Sequence, residues 1–370
     1  MQCDYFDAGR CRSCTIIRTP YRAQLAAKHE RARAALGEGP AWEAPLASAE
    51  SGFRNKAKMV AGGTVEDPRL GILVPGGGVQ DLRECPLHEP ALEASLPVLA
   101  EFATRARLVP YDVTTRRGEL KYVLATVSPD GELLVRFVLR STESVPRIRK
   151  HLGWLTARLP GLRVASVNLH PTHSAVVEGA EEILLTDQAF LPMRIGPVEL
   201  GLRPQGFFQT STGIAAALYR TAAAWTADLD YRSAWDLYCG VGGFAMHLAR
   251  PGTDVIGVEA SAEAVAAATA SAARSRLAHV RFETADAGAF ARDAAQAPDL
   301  VVVNPPRRGI GDLTRWLEAS GVRHVLYSSC NVDSLAGDLA AMPSLRPVRA
   351  QVLDMFPHTE HFETLVLAER

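Results

Sequence analysis

Asp236-Leu237-Tyr238-Cys239-Gly240-Val241-Gly242-Gly243-Phe244 is a glycine-rich turn set between a short apolar run and a helical pattern. Glycines at such a turn let the backbone come close to a bound ligand and open a helix toward it. Outward from this turn, the apolar runs Ser233 to Tyr238, Asp254 to Val258, His279 to Thr284, Leu300 to Val303 and His324 to Tyr327 alternate with helical segments such as Ile214 to Ala227 and Ala262 to Arg274. This β/α alternation predicts a parallel, doubly wound sheet, which binds ligands at the carboxyl ends of its strands. Glu259 ends the second strand, where a carboxylate can accept both hydroxyls of a ribose, Asp286 follows the third, and Asn304-Pro305-Pro306 follows the fourth. The turn alone would equally suit a dinucleotide dehydrogenase.

Upstream the texture changes. Residues from about 108 to 203 show alternating runs, Lys121 to Val127, Leu133 to Leu139, Val164 to Leu169 and Ser174 to Glu178, with one helical stretch, Val145 to Leu159. They predict antiparallel strands around a helix. The first ninety residues are rich in Gly and Pro, with one evident helix from Arg22 to Leu36, and leave little room for a large apolar core. At 370 residues the chain is long enough for two domains, expected as a β-rich α+β region over 1–205 and an α/β domain over 206–370.

A composition of 47% hydrophobic and 22% charged residues with a net charge of -1 argues against disorder and against a globally cationic nucleic-acid binder, leaving only local basic patches for that role. No apolar run has the length of a membrane span, and Met1-Gln2-Cys3-Asp4-Tyr5 lacks the pattern of a secretion signal, so a cytoplasmic location and no membrane partner are expected. No feature calls for an obligate protein partner. In a reducing compartment the six cysteines favour metal binding or catalysis over disulfides. Cys3, Cys11, Cys14 and Cys85, the last followed by Pro86, are spaced as four thiolate ligands for either zinc or an iron-sulfur cluster, and chemistry alone does not choose. Their spacing differs from the CxxxCxxC of radical enzymes, which points to a structural role.

Cys330 in Tyr327-Ser328-Ser329-Cys330-Asn331 and Glu363, ending the run from Asp354, pair a soft nucleophile with a carboxylate base. Together they suit transfer of an electrophilic carbon to a pyrimidine. C5 of uracil becomes nucleophilic only when a thiolate adds at C6, and a base must then remove the C5 proton. A helix beginning near Asp333 is expected to lower the Cys330 thiol pKa through its N-terminus. Phe207 is a candidate to stack on an extruded base. Arg307 and Arg308 are candidates for phosphate or the enolate oxygen. Arg54, Lys56 and Lys58 are expected on one face of a strand as RNA contacts, extended by Arg116, Arg117 and Lys121 or by Arg147, Arg149 and Lys150.

Asn304-Pro305-Pro306 and the glycine-rich turn resemble motifs of S-adenosylmethionine-dependent methyltransferases. Joined with Arg307-Arg308-Gly309, with Tyr327 to Asn331 and with Phe356-Pro357-His358-Thr359-Glu360-His361-Phe362-Glu363, they resemble the RNA uracil-5-methyltransferases, and along the whole chain the branch that acts on 23S rRNA. The resemblance implies a Rossmann-like methyltransferase domain after a β-rich RNA-binding region. It implies Cys330 as nucleophile and Glu363 as base, Gln209, Tyr238, Glu259 and Asn304 as contacts to S-adenosyl-L-methionine, and a [4Fe-4S] cluster on Cys3, Cys11, Cys14 and Cys85 within about residues 1–90. It further implies a 747-type uridine of 23S rRNA as target. Tyr238 stands where many relatives have Phe, and Ser334 where Thr is frequent. The nearest rivals are a tRNA enzyme or one acting on another 23S uridine. A tRNA enzyme would share Cys330 and Glu363 without needing the four cysteines. An amino-group methyltransferase would need no thiol, and a metal-stapled RNA-binding module would turn nothing over.

Overall fold

The computed structural model describes residues 1–174 and 176–370. Its larger sheet has eight strands in the order Ala41–Trp42, Arg346–Leu353, Glu363–Glu369, His324–Ser329, Leu300–Val303, Ser233–Leu237, Asp254–Glu259, Val280–Thr284. The five central and following strands pair in parallel, as the β/α alternation predicts, whereas Glu363–Glu369 runs antiparallel to both of its neighbours. That reversal matters for the chemistry. It puts the beginning of the reversed strand at the same rim as the carboxyl ends of the parallel strands, with Ser329 opposite Thr364, so Glu363 lies beside Cys330 despite the intervening helix and strand.

The second sheet has seven strands, Val79–Asp81, Pro68–Leu73, Lys56–Gly63, Leu120–Val127, Leu133–Leu139, Leu162–Leu169 and Glu181–Leu184 in that order. Leu133–Leu139 and Leu162–Leu169 pair in parallel, unlike the all-antiparallel arrangement expected from the alternation. The reason is the helix Val145–Arg158 between them, since a parallel neighbour requires a crossover and a hairpin cannot supply one. This helix and Pro90–Arg105 cover the sheet with a core that includes Leu96, Phe102, Phe137 and Ile148. The expected strand from Ser174 to Glu178 does not form at its described positions, and Ala175 lies outside the described residues; the strand that closes the sheet is Glu181–Leu184.

Packing crosses residue 205, where the division is expected. The helix Tyr21–Leu36 lies against Val332–Ala340, with Ala32 buried beside Val332, Val352 and Phe362, and Ala41–Trp42 extends the edge of the larger sheet in parallel with Arg349 and Ala350. The hairpin Leu191–Ile195 with Val198–Leu202 likewise shares the core of the helix Thr212–Thr226 and of the larger sheet. Composition marks the first ninety residues as loop-rich but does not say which sheet they dock on. No helix among the described residues is long and apolar enough to cross a membrane.

Candidate active site

The strand Ser233–Leu237 stops because Tyr238 turns to φ +66, a left-handed conformation that costs a non-glycine residue free energy. Gly242 follows at φ +82, and a Cβ there would sit 2.6 Å from the Phe282 ring, so the turn requires glycine on both counts. The Gly240 N–H donates to Glu259 Oε2 at 3.2 Å and the Ser261 N–H to Oε1 at 3.0 Å, which fixes the carboxylate over the turn. Asp286 caps the helix Ala287–Asp293 by accepting from the Ala289 N–H at 2.9 Å.

Gln209, Tyr238, Glu259, Asn304, Cys330 and Glu363 all line one cavity of about 620 Å³ at this rim. Phe207 lines it as well, with 66% of its surface exposed at the mouth. Gln209 is placed there by a junction that the sequence reading missed: Asn55, 1% exposed, donates from Nδ2 to the Gln209 carbonyl at 2.9 Å and to Thr212 Oγ1 at 2.9 Å. A single buried asparagine in a loop gives no periodic signal in one sequence.

Glu363 is fully buried, and its Oε1 accepts a hydrogen bond from the Ser328 hydroxyl at 2.5 Å. Burial pushes its carboxyl up to about 7, with Ser328 pulling the other way. A carboxyl poised there exchanges a proton near neutrality. Asp236 is buried nearby and raised to about 7 by burial, against the Ala245 N–H, which donates to Oδ2 at 2.8 Å. Its Oδ1 has no partner among the described residues.

Cys330 is half-buried, at the residue before Asn331, which caps the helix Val332–Ala340. Its thiol is pushed up by burial and then by the charge of Glu363, and pulled down by a hydrogen bond and the charge of Arg307. The lowered thiol expected from the helix N-terminus is therefore not the balance found; Arg307 is the group that favours the thiolate. Arg307 is aimed by its surroundings: its Nη2 donates to His361 Nδ1 at 2.8 Å, and Asn331 Nδ2 donates to its carbonyl at 2.9 Å. A second cavity of about 330 Å³, with Arg31 and His361 in its wall, shares Cys330 and Arg307 with the first.

Cys3, Cys11, Cys14 and Cys85 come together from three loops around a separate cavity of about 140 Å³. Cys14 is pushed up to about 12, first by burial and then by its neighbours Cys85, Cys11 and Cys3. As they stand, the described residues contain no group of three or more His, Cys, Asp or Glu arranged to hold a metal ion. The fit rests on the chemistry of the donors, four soft sulfurs facing one space.

The basic residues divide. Arg54 packs against this cavity near Cys85 and Cys14 and donates from Nε to the Lys56 carbonyl at 3.0 Å, so it is turned toward the cysteines, whereas Lys58 is exposed on its strand. Lys121 is buried and donates to the Thr172 carbonyl at 2.6 Å, and Arg147 is engaged by Glu143 and the Ala106 carbonyl. Arg116, Arg117, Arg149 and Lys150 are exposed.

An open α/β sheet whose rim cavity carries an acid at the end of its second strand suits a nucleoside-bearing cofactor, as in the S-adenosylmethionine-dependent methyltransferases. A tRNA (uracil-54, C5)-methyltransferase from Pyrococcus abyssi, solved with S-adenosyl-L-homocysteine, has the same fold over 96% of this chain and 85% of its own, with TM-score 0.80 and 24% identity. The sequence profile of the tRNA (uracil-5-)-methyltransferases matches residues 202–370. The 23S rRNA (uracil(747)-C(5))-methyltransferases RlmC of Escherichia coli O157:H7 and of Shigella boydii serotype 4 are each 46% identical over 99% of both chains. The chain belongs to this family of RNA uracil-C5-methyltransferases.

Proposed function

We propose that the protein transfers a methyl group from S-adenosyl-L-methionine to C5 of a uridine in 23S rRNA, the counterpart of the 747 site named for its relatives. The observation that carries the reading is the meeting of Cys330 and Glu363 in the cavity that also holds Gln209, Tyr238, Glu259 and Asn304. Those four would hold the cofactor: Glu259 at its ribose, Tyr238 by stacking, Asn304 and Gln209 by polar contact. When bound, it supplies an electrophilic methyl group on a sulfonium.

Arg307 favours the Cys330 thiolate, which adds to C6 of the extruded uracil and moves the ring's π electrons onto C5 and the C4 oxygen. C5 gains the methyl group and becomes tetrahedral. Glu363 then takes the C5 proton, the C5–C6 double bond reforms, and the C6–S bond breaks to return the thiolate. The proton ends on Glu363, whose position near 7 lets it release to solvent. The products are 5-methyluridine and S-adenosyl-L-homocysteine. Exposed Phe207 at the mouth is suited to stack on the extruded base.

We assign Cys3, Cys11, Cys14 and Cys85 to a [4Fe-4S] cluster that ties their three loops together; convergence of the four thiols supports the assignment. The test of function is to map 5-methyluridine in total RNA from cells with and without the gene. A methyl group lost from one 23S uridine is expected; loss confined to tRNA would reassign the substrate.

A further inference from the structure

The loop from Asp354 to Phe362 ends at Glu363 and supplies Phe356 to the large cavity and Glu360, His361 and Phe362 to the second cavity that Cys330 also lines. At its bend, His358 has φ +65 and no solvent exposure. Such a conformation in a bulky residue persists only where its surroundings over-determine it. Here every polar atom of His358 is bonded from the first fifty residues. Its N–H donates to Gln24 Oε1 at 3.0 Å, and its carbonyl accepts from the Ile16 N–H at 3.0 Å. Its Nδ1 accepts from Gln24 Nε2 at 3.3 Å, which leaves Nε2 as the protonated nitrogen donating to the Glu50 carbonyl at 2.7 Å. Gln24, 1% exposed, is itself oriented by the Thr19 carbonyl at 2.8 Å. One turn further along the same helix, Lys28, 3% exposed, donates to Asp354 Oδ1 at 2.7 Å and to the Phe356 carbonyl at 3.1 Å.

We propose that Gln24, seconded by Lys28, is a positioning residue for methyl transfer: from the N-terminal helix it fixes the 354–362 loop so that Glu363 meets the C5 proton. Glu363 is the first residue of its strand, where a ladder frays most readily, so its carboxyl follows the loop that precedes it. The inference rests on the uracil-C5 reading above. It adds that the N-terminal region is part of the catalytic geometry through Gln24 and Lys28.

The experiment compares full-length wild type, Gln24→Leu and Gln24→Glu in quenched single turnovers with a uridine-containing rRNA hairpin, scoring protein covalently attached to methylated RNA. Glutamate keeps an acceptor for the His358 N–H; leucine keeps only the bulk. In Gln24→Leu, affinity for S-adenosylmethionine should stay within about twofold while kcat falls at least about tenfold, the effect of a misplaced base, and the attached fraction should rise because proton removal has become slow. Gln24→Glu should recover part of the rate. Should Gln24→Leu fail to fold, Lys28→Met with Asp354→Asn, which removes the buried pair without stranding a charge, carries the same expectations. An unchanged kcat and attached fraction overturns the proposal, as does a loss shared equally by cofactor affinity. Wild type that never becomes attached, even to 5-fluorouridine RNA, overturns the functional reading itself, and the proposal with it.

Discussion

The rim cavity and the cysteine cavity solve opposite problems. At the rim, two buried carboxyls, Glu363 and Asp236, are both raised to about 7, so the site is most comfortable with protons on them. In the cysteine cavity, four thiols crowd one another and Cys14 is pushed up to about 12, a cluster of donors that a cation would relieve. The first arrangement gives up stability to set the proposed base near neutral pH; the second would gain stability by holding the proposed cluster. Mutations at the rim should therefore cost turnover and leave the fold intact, whereas mutations at the cysteines should do the reverse.

The largest effect is expected for Cys330→Ala, which removes the thiol proposed to add at C6; turnover should drop by about 10⁴ or more in a methyl-transfer assay, with cofactor affinity retained. Next, Glu363→Gln should slow release by about 10²–10⁴ and hold RNA on the protein in denaturing gels; release at wild-type speed would remove Glu363 from the role of base. The same variant sharpens the contrast through stability. The neutral form of Glu363 is favoured in the fold, so its contribution is fully present below about pH 4.5 and is lost as pH rises through about 7. Thermal melts should thus find Glu363→Gln equal to wild type in acid and more stable above pH 7, by on the order of 2 kcal/mol. Turnover of wild type should climb over the same interval, because both the carboxylate and the Cys330 thiolate are formed by deprotonation.

Cys85→Ser should act on the other cavity: faster proteolysis within the first ninety residues and loss of any bound iron, with cofactor affinity unchanged. Colourless wild-type protein containing zinc would sink the cluster assignment. The smallest effect is expected for Tyr238→Phe, which keeps the stacking face; affinity for the cofactor should change by less than about threefold, since a half-buried hydroxyl contributes on the order of 0.5 kcal/mol.

The rim was legible because its residues lie in contiguous motifs at strand ends, where topology alone brings them together. Glu363 joined Cys330 through one reversed strand that no periodicity announces, yet the motif around it was long enough to name. The cysteines were legible by count and spacing. What stayed hidden was tertiary: Asn55 bridging to Gln209, Arg307 turned by His361 toward the thiol, and the Tyr21–Leu36 helix docked on the catalytic sheet. The first two depend on one or two polar side chains without a repeating pattern, and the third on a small apolar patch around Ala32. The Arg54, Lys56 and Lys58 alternation holds only in part: Lys58 is exposed on its strand, whereas Arg54 turns to the cysteine cavity, because a charge pattern does not say which face a loop will cover.

The most direct test of the account is mass spectrometry of the enzyme after reaction with S-adenosylmethionine and the 23S hairpin bearing 5-fluorouridine at the target position. Fluorine cannot leave C5 as a proton does, so the account predicts a methylated nucleotide bonded through C6 to the peptide containing Cys330. Active enzyme that yields no such peptide, or one modified at another residue, would contradict it.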